Sequence, residues 1–388
     1  MTTHGHHVLL RLSLAALAAL LVGAFALSIR PAPLTANQHI RQLVAFNPNQ
    51  FPEGLSVAPD GTVIVGIIST GEIVRVTPNG TASRLAQVPL PAGGLLIGVL
   101  ALDSTNVYAL VQTNDDKTGV WLISQHGLSV KQIAKLPVGS LPNDLIADAQ
   151  GRLYVTDTIG GRVFRVQPTG AVETWAAHSL LLGNVASPGP LGFPLGANGI
   201  AMAPSRDAVY VAVSEKARIV RIPIRPDGSA GPVTVVAENR ALDGADGIDV
   251  GPNGVIYASV NGQNQIVAVD PATGSVDVVA SGPIFHFPAV LRFSPDFKRL
   301  YVTNFDGLVL FGLAPGPART GLLAIDVAGL APQPLAVAPR PAIVPPSTGT
   351  AGLAQHSPAR SGTVEVALVL AVILAGGAFA RQHRQDRK

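Results

Sequence analysis

Four polar residues stand at equivalent places in a repeated sequence pattern, each in a turn that leads into a short apolar segment. They are Glu53 in FPEGL, Asn143 in LPNDL, Asn198 in GANGI and Asp246 in GADGI. Two carboxylates and two amide carbonyls form an oxygen-rich set that suits Ca²⁺, or Mg²⁺ or Mn²⁺ with water ligands. Zn²⁺ is a weaker alternative, because only four of the nine histidines lie within residues 39–330 and these four do not cluster. Asn and Asp are also ordinary turn residues, so a role in backbone geometry alone stays open.

Successive members of this set are 48 to 90 positions apart in the sequence, so only the fold can bring them together. The segment 51–76, FPEGLSVAPDGTVIVGIISTGEIVRV, has variants that begin at residues 94, 141, 196, 244 and 287. Each unit places turns rich in Gly, Asn and Asp between short apolar or β-branched strands. Repeats of roughly 40–50 residues with several short strands each predict an all-β fold, the β-propeller.

The repeats predict six blades, which span about 51–90, 93–138, 141–178, 195–240, 243–281 and 286–329. The last blade lacks a fourth strand, and an unassigned strand, HIRQLVAF, precedes the first blade at residues 39–46. We therefore predict that residues 39–46 supply the outer strand of blade six and close the ring, which leaves only short, protected edges. An insert at residues 179–194 is expected to form either part of a pocket lip or a plain surface loop.

In a propeller, the segment that leads into the innermost strand of each blade lies at the central channel. Side chains at that position converge on one axis from different blades. The fold therefore predicts a common site for Glu53, Asn143, Asn198 and Asp246. Asp144, beside Asn143, is expected either to support that site or to cap a turn.

The composition of the chain argues against several functional classes. The chain has 388 residues, of which 47% are hydrophobic and 13% charged, with a net charge of +3 and no cysteine. The lack of cysteine removes disulfides, thiolate metal sites and cysteine nucleophiles. Basic residues are scattered and form no stripe with interleaved aromatic residues, which argues against a nucleic-acid partner. No G-x-S-x-G motif and no Gly-rich strand-to-helix loop are present, which disfavours a serine hydrolase and nucleotide binding.

The first 34 residues have the layout of a signal peptide or of an uncleaved N-terminal anchor. Residues 12–28 form an uncharged apolar run, and Arg11 with several histidines precedes it. A basic start followed by an apolar stretch is typical of secretory signals. The segment therefore predicts export of the repeats.

The C-terminal part of the chain predicts a membrane attachment. Residues 363–380 are long and apolar enough to span a bilayer as a helix, and the basic tail 381–388 should stay on the cytoplasmic side. Residues 331–362 are rich in Pro, Ala, Ser and Thr and predict a semi-extended stalk. Together these segments predict a single-pass protein of the cell membrane, with the propeller, residues 39–330, on the extracytoplasmic side.

The sequence contexts of the four site residues resemble those of the senescence-marker/gluconolactonase/regucalcin family of six-bladed propellers. In that family a Glu before Gly in blade one, an Asn in N-D, an Asn in N-G and an Asp in D-G bind one catalytic divalent ion. The resemblance covers roughly residues 39–330 and implies the ligand set Glu53, Asn143, Asn198 and Asp246. The chain departs from the family at EGLSVA, where E-G-P is usual and where NHL-type propellers read similarly, and it lacks F-G-G in blade six.

The resemblance implies hydrolysis of a lactone or another cyclic ester. One divalent cation, with Ca²⁺ preferred, would polarise the carbonyl group that water attacks, and Asp246 would serve as a ligand and as a general base. The principal alternative is a non-enzymatic NHL-like propeller that binds a protein or a glycan at the cell surface. A third hypothesis is a ring-forming or strand-cleaving lyase with a structural ion.

Overall fold

The chain folds as a ring of small antiparallel sheets. The structure, a computed structural model, describes residues 40–124, 126–187, 189 and 191–327. These residues form 24 β-strands in six four-stranded sheets, and each sheet is one blade of a propeller. This arrangement confirms the predicted all-β, six-bladed fold.

Within the first three blades, consecutive strands pair in order from the central channel outward. Blade one contains β2 (Pro52–Val57), β3 (Val63–Ile67), β4 (Glu72–Val76) and β5 (Ala82–Gln87). Blade two contains β6 (Leu95–Ala101), β7 (Val107–Gln112), β8 (Gly119–Ser124) and β9 (Ser129–Lys135). Blade three contains β10 (Pro142–Ala147), β11 (Leu153–Asp157), β12 (Arg162–Val166) and β13 (Val172–Ala177).

Blades four and five repeat this order, and blade six takes its outer strand from the start of the chain. Blade four contains β14 (Ala197–Met202), β15 (Ala208–Val213), β16 (Arg218–Pro223) and β17 (Thr234–Glu238). Blade five contains β18 (Ala245–Val250), β19 (Ile256–Val260), β20 (Gln265–Val269) and β21 (Val276–Ser281). Blade six contains β22 (Pro288–Phe293), β23 (Arg299–Asn304), β24 (Gly321–Asp326) and β1 (Ile40–Ala45).

The pairing of β1 with β24 closes the ring. The two strands are antiparallel, with Ile40 opposite Ile325 and Ala45 opposite Gly321. The innermost strands β2, β6, β10, β14, β18 and β22 contact one another in sequence, and β22 returns to β2. The predicted closure by the N-terminal strand is therefore confirmed.

The helical elements of the described residues are single turns that link strands. Four are 3₁₀ turns and one, α1, is α-helical; they span Ser179–Leu181, Ser214–Lys216, Arg240–Leu242, Asn261–Gln263 and, for α1, Gly307–Leu310. Two of the 3₁₀ turns follow the second strand of a blade and begin with Ser214 and Asn261. Both of these residues contact the candidate site described below.

The core lies between neighbouring blades, and β15 shows how the sequence creates it. All six residues of this strand, AVYVAV, are buried. Successive side chains of a strand point to opposite faces, so alternate residues pack against different blades. Val209 and Val211 pack with Tyr154 of blade three, whereas Tyr210 packs with Ile248 of blade five. A strand that is buried on both faces therefore reads as a continuous apolar run rather than an alternating one.

Several predicted segments lie outside the described residues. They are the signal peptide or anchor in residues 1–34, the stalk at 331–362, the bilayer-spanning segment at 363–380 and the basic tail at 381–388. Among the residues that the structure describes, no helix has both the length and the apolar character needed to cross a membrane.

Candidate active site

The predicted site residues lie in β-bulges at the start of the innermost strands. In blade one the register shifts between Pro52 and Leu55, and Glu53 lies in that bulge. The corresponding shifts in blades three, four and five contain Asn143, Asn198 and Asp246. A β-bulge bends its strand and re-aims the side chains of the extra residues. The repeated bulge therefore directs one side chain of each of these blades toward the channel.

Blades two and six have apolar residues in the same bulge, so only four blades contribute polar groups there. Ile97 and Ala289 are the counterparts of Glu53 in those blades.

The residue after each polar bulge position is constrained by the neighbouring blade. Gly199 is an example, because a Cβ atom there would collide with the carbonyl oxygen of Asp246. Packing against blade five therefore requires the glycine of this Asn-Gly dipeptide, in addition to any preference of the turn for these residues.

All four predicted site residues line one cavity at the mouth of the channel. The cavity has a volume of about 390 Å³, and Glu53, Asn143, Asn198 and Asp246 all contribute to its lining. Glu53, Asn198 and Asp246 are buried, and Asn143 is half-buried. The structure therefore brings together the residues that the repeat pattern selected.

Three oxygen atoms of this group are buried without a hydrogen-bond partner: Glu53 Oε2, Asn198 Oδ1 and Asp246 Oδ1. The other end of two of these side chains is held in place. Asn198 Nδ2 donates to Ser214 Oγ at 2.9 Å, and Asp246 Oδ2 accepts from Asn261 Nδ2 at 3.2 Å. Buried polar atoms are nearly always paired, so three unpaired acceptors in one cavity indicate a missing donor or cation.

Burial destabilises the ionised forms of the two carboxyl groups, Glu53 and Asp246. Burial raises the pKa of Glu53 well above its ordinary value, and the nearby charges of Asp246 and Asp144 raise it further. Burial also raises the pKa of Asp246 to about 7, although the hydrogen bond from Asn261 lowers it in part. A divalent cation between the two groups would reverse both effects, because it favours the charged carboxylates.

The donor set fits a hard divalent cation. Carboxylate and amide oxygens are the ligands that Ca²⁺ and Mg²⁺ prefer, and no histidine is among the described residues that line the cavity. In the same part of the chain, no three Asp, Glu or His side chains cluster closely enough to hold a metal ion. The candidate ligand set therefore depends on its amide oxygens as well as on its two carboxylates.

A comparison with known protein families matches residues 93–306 to the SMP-30/Gluconolactonase/LRE-like region. The chain belongs to the SMP-30/gluconolactonase/LRE-like family. The match includes Asn143, Asn198 and Asp246, whereas Glu53 lies in blade one, before the matched region. A search of curated protein sequences finds no match.

Solved structures with the same fold include three proteins with names related to this family. The chain is similar to a luciferin-regenerating enzyme, with a TM-score of 0.57 and 13% identity over 74% of this chain and 94% of that chain. It is similar to a gluconolactonase from Xanthomonas campestris, with a TM-score of 0.56 and 16% identity over 77% and 95% of the two chains. It is also similar to regucalcin, a calcium-binding protein from Agrobacterium tumefaciens, with a TM-score of 0.56 and 16% identity over 76% of this chain and 95% of that chain. At these identities the likeness shows a shared fold.

Below the four site residues, a buried ion pair crosses the channel of this SMP-30/gluconolactonase/LRE-like propeller. Arg292 of blade six donates to Asp144 Oδ1 at 2.7 Å and to Oδ2 at 2.8 Å. Asp144 also accepts from the backbone N–H of Ile200 in blade four, and Arg292 donates to the carbonyl of Ile248 in blade five. Asp144 thus ties blades three, four and six together.

Sequence reasoning missed Arg292, Ser214, Asn261 and Gln112, all of which contact or line the site. Ser214 and Asn261 had a detectable signal, because each directly follows the second strand of its blade, at the position of Thr158 in blade three. Arg292 is a single Arg in a six-residue strand and had no such signal. Gln112 lines the cavity, and its buried Oε1 also lacks a hydrogen-bond partner.

The insert before blade four forms part of the cavity wall, which confirms the predicted pocket lip. Val185, Leu191 and Phe193 all line the cavity. Glu215, in the 3₁₀ turn after β15, holds the insert through bonds from the backbone N–H groups of Asn184 at 2.7 Å and Gly189 at 2.8 Å. The lip of this family member is therefore fixed by hydrogen bonds to blade four.

Proposed function

We propose that the chain is a divalent-metal-dependent hydrolase of a lactone or another cyclic ester. The observation that carries the proposal is the set of three buried, unpartnered oxygen atoms of Glu53, Asn198 and Asp246, three residues that line one cavity. Membership of the SMP-30/gluconolactonase/LRE-like family supports the same reaction class. Similarity to a calcium-binding regucalcin supports Ca²⁺ as the ion.

Each residue of the site has a distinct task in this proposal. Glu53, Asn143, Asn198 and Asp246 would hold the cation. When bound there, the ion supplies electrophilic polarisation of the substrate carbonyl. Ser214 holds the amide nitrogen of Asn198 and leaves its oxygen unpaired, and Asn261 fixes one oxygen of Asp246.

Asp246 is the proposed general base. Its Oδ1 is free to accept a proton from the attacking water, whereas its Oδ2 is held by Asn261. The protonated Asp246 can then return its proton to the ring oxygen that leaves when the ester bond breaks.

The test combines metal binding with turnover by the full-length chain. Titration calorimetry should detect about one Ca²⁺ per chain, and the variants Asp246→Asn and Glu53→Gln should abolish this binding. Asp277→Asn is the matched control, because Asp277 is an exposed acid on the outer strand of the same blade. Hydrolysis of six-membered lactones, followed by proton release in a pH-stat, should require both Ca²⁺ and Asp246.

Two outcomes would refute the proposal. If the folded wild-type chain bound no divalent ion, the unpaired oxygens would have another partner, and a propeller that serves as a binding platform would be favoured. If Ca²⁺ bound but no lactone were hydrolysed, the ion would be structural. The second outcome would favour the lyase or binding-platform hypotheses.

We also propose that the propeller is extracytoplasmic and attached to the cell membrane. The apolar segment 363–380 with its basic tail, and the signal-like segment 12–28, support this location. The chain contains no cysteine, so a single introduced thiol reports its own location. In intact cells, an impermeant maleimide should label Leu128→Cys, where the native side chain is 87% exposed, and should not label Lys388→Cys. The reverse pattern would contradict the proposed orientation.

A further inference from the structure

The cavity above the candidate site has a polar floor and apolar walls, and this division constrains the substrate. Glu53, Asn198 and Asp246 form the floor with their unpaired oxygens. The walls above it are formed by apolar side chains from several blades and the insert, including Ile68, Ile97, Leu141, Phe193, Leu195 and Phe305. We call the space between these walls the apolar chamber.

The two hydroxyl groups in the walls already have partners. Ser140 Oγ donates to the carbonyl of Pro137 at 2.7 Å, and Thr158 Oγ1 donates to the carbonyl of Ala197 at 2.8 Å. Gln112 offers one buried acceptor, Oε1. A polyhydroxylated substrate would therefore lose several hydrogen bonds to water and regain few, which is unfavourable in a buried site.

The charge of the lining also excludes a class of substrate. None of the described residues that line the chamber is Lys, Arg or His, whereas two are acidic. The guanidinium of Arg292 is already paired with Asp144. A phosphorylated or carboxylated lactone would thus find no cationic side chain in the chamber to bind its charge.

We propose that the substrate is an uncharged, apolar lactone whose alkyl or aryl part fills the apolar chamber while its ester group lies on the polar floor. This inference rests on the proposed hydrolase function. The chamber volume of about 390 Å³ corresponds to roughly a dozen non-hydrogen atoms at the ~30 Å³ that one water molecule occupies. A six-membered lactone with a side chain of about five carbons matches this size.

Two lactones of equal size and ring type test the preference of the chamber for apolar substrates separately from the hydrolytic activity. δ-Decalactone and glucono-δ-lactone each have a six-membered ring and about twelve non-hydrogen atoms, but only the second carries hydroxyl groups. For the full-length chain with Ca²⁺, kcat/KM should be at least about 100-fold higher for δ-decalactone, because each buried methylene favours binding. Efficient hydrolysis of glucono-δ-lactone with no advantage for δ-decalactone would overturn the apolar assignment and leave the proposed function intact.

A change in the chamber wall provides a second test. Phe193→Gln should lower kcat/KM for δ-decalactone by about 10-fold and leave the Ca²⁺ affinity unchanged. The control is Leu128→Gln, which makes a comparable change at an exposed position that does not line the chamber. Equal effects of the two variants would contradict a role of the chamber in binding.

Binding of a compound that cannot be hydrolysed separates the two proposals. 3-Pentylcyclohexanone has a CH₂ group in place of the ring oxygen of δ-decalactone, so it keeps the ring size and the position of the alkyl chain but has no ester bond. Calorimetry should show that it binds to the wild-type chain and about 10-fold more weakly to Phe193→Gln. Such binding without lactone turnover would support the chamber and refute the hydrolase. No binding of this ketone, together with hydrolysis of glucono-δ-lactone, would refute the chamber alone.

Discussion

Arg292 of blade six and Asp144 of blade three form a buried ion pair in which one guanidinium nitrogen contacts both carboxylate oxygens. The two blades lie opposite each other in the ring. The side chains are only 11% and 4% exposed, and both carboxylate oxygens accept from Nη2 of Arg292 at 2.7 and 2.8 Å. The pair joins parts of the chain that are 148 residues apart. Loss of one partner would leave the other charge buried and uncompensated.

The first prediction concerns the stability contributed by this pair. Arg292→Met should lower the free energy of unfolding by about 3–5 kcal/mol, because Asp144 would be left in a buried site without its ion-pair partner. Urea denaturation of the full-length chain measures this change. The control is Arg299→Met, which removes a pair with Asp326 that is 36% and 44% exposed, and it should change stability by no more than about 1 kcal/mol. Similar losses in the two variants would contradict the structural role of the channel pair.

The second prediction is that the candidate metal site destabilises the folded chain when it holds no ion. The pKa of Asp246 is raised, so the folded chain binds the proton more tightly than the unfolded chain. The stability that this group contributes is present below pH 4 and is lost as the pH rises toward 7. In EDTA, Asp246→Asn should therefore be more stable than the wild type by roughly 2–4 kcal/mol at pH 8 and by little at pH 4. Urea denaturation at both values tests this, and a destabilised variant at pH 8 would contradict it.

The third prediction is a proton dependence of metal binding. The pKa values of both Glu53 and Asp246 are raised above their ordinary values, so protons compete with the cation for the same oxygens. The affinity for Ca²⁺ should fall by about 10-fold for each pH unit below about 7, because at least one proton must leave for each ion bound. Calorimetry at pH 5, 6, 7 and 8 in buffers of equal ionic strength provides the measurement. An affinity that is constant over this range would exclude these carboxylates as ligands.

The fourth prediction assigns a positioning role to Ser214. Its hydroxyl accepts from Asn198 Nδ2 at 2.9 Å and donates to the carbonyl of Ala245 at 2.7 Å. Ser214→Ala should weaken Ca²⁺ binding by about 10- to 100-fold, as expected when a group that orients a metal ligand is removed, and Ser214→Thr should restore part of it. Ser205→Ala is the control, since Ser205 is exposed in a turn of the same blade. Unchanged Ca²⁺ affinity in Ser214→Ala would show that Asn198 needs no such support.

The sequence by itself determined the architecture and the main site residues. Short apolar strands, turn residues and repeat length are local properties, so six blades and the closing strand Ile40–Ala45 could be predicted from the chain alone. Glu53, Asn143, Asn198 and Asp246 were predictable because they occupy equivalent repeat positions. Their convergence follows from the radial symmetry of the propeller.

The tertiary structure decided the features that depend on contacts between blades. The Arg292–Asp144 pair, the partners of the site oxygens and the apolar chamber arise from residues that are distant in the chain. No repeat position marks Arg292, and the bulges that aim Glu53 and its counterparts toward the channel are shifts in strand register. Such shifts are set by how strands pair and how blades pack against one another. A one-dimensional pattern of residue types therefore identifies which residues meet, but not which oxygens stay unpaired or what surrounds them.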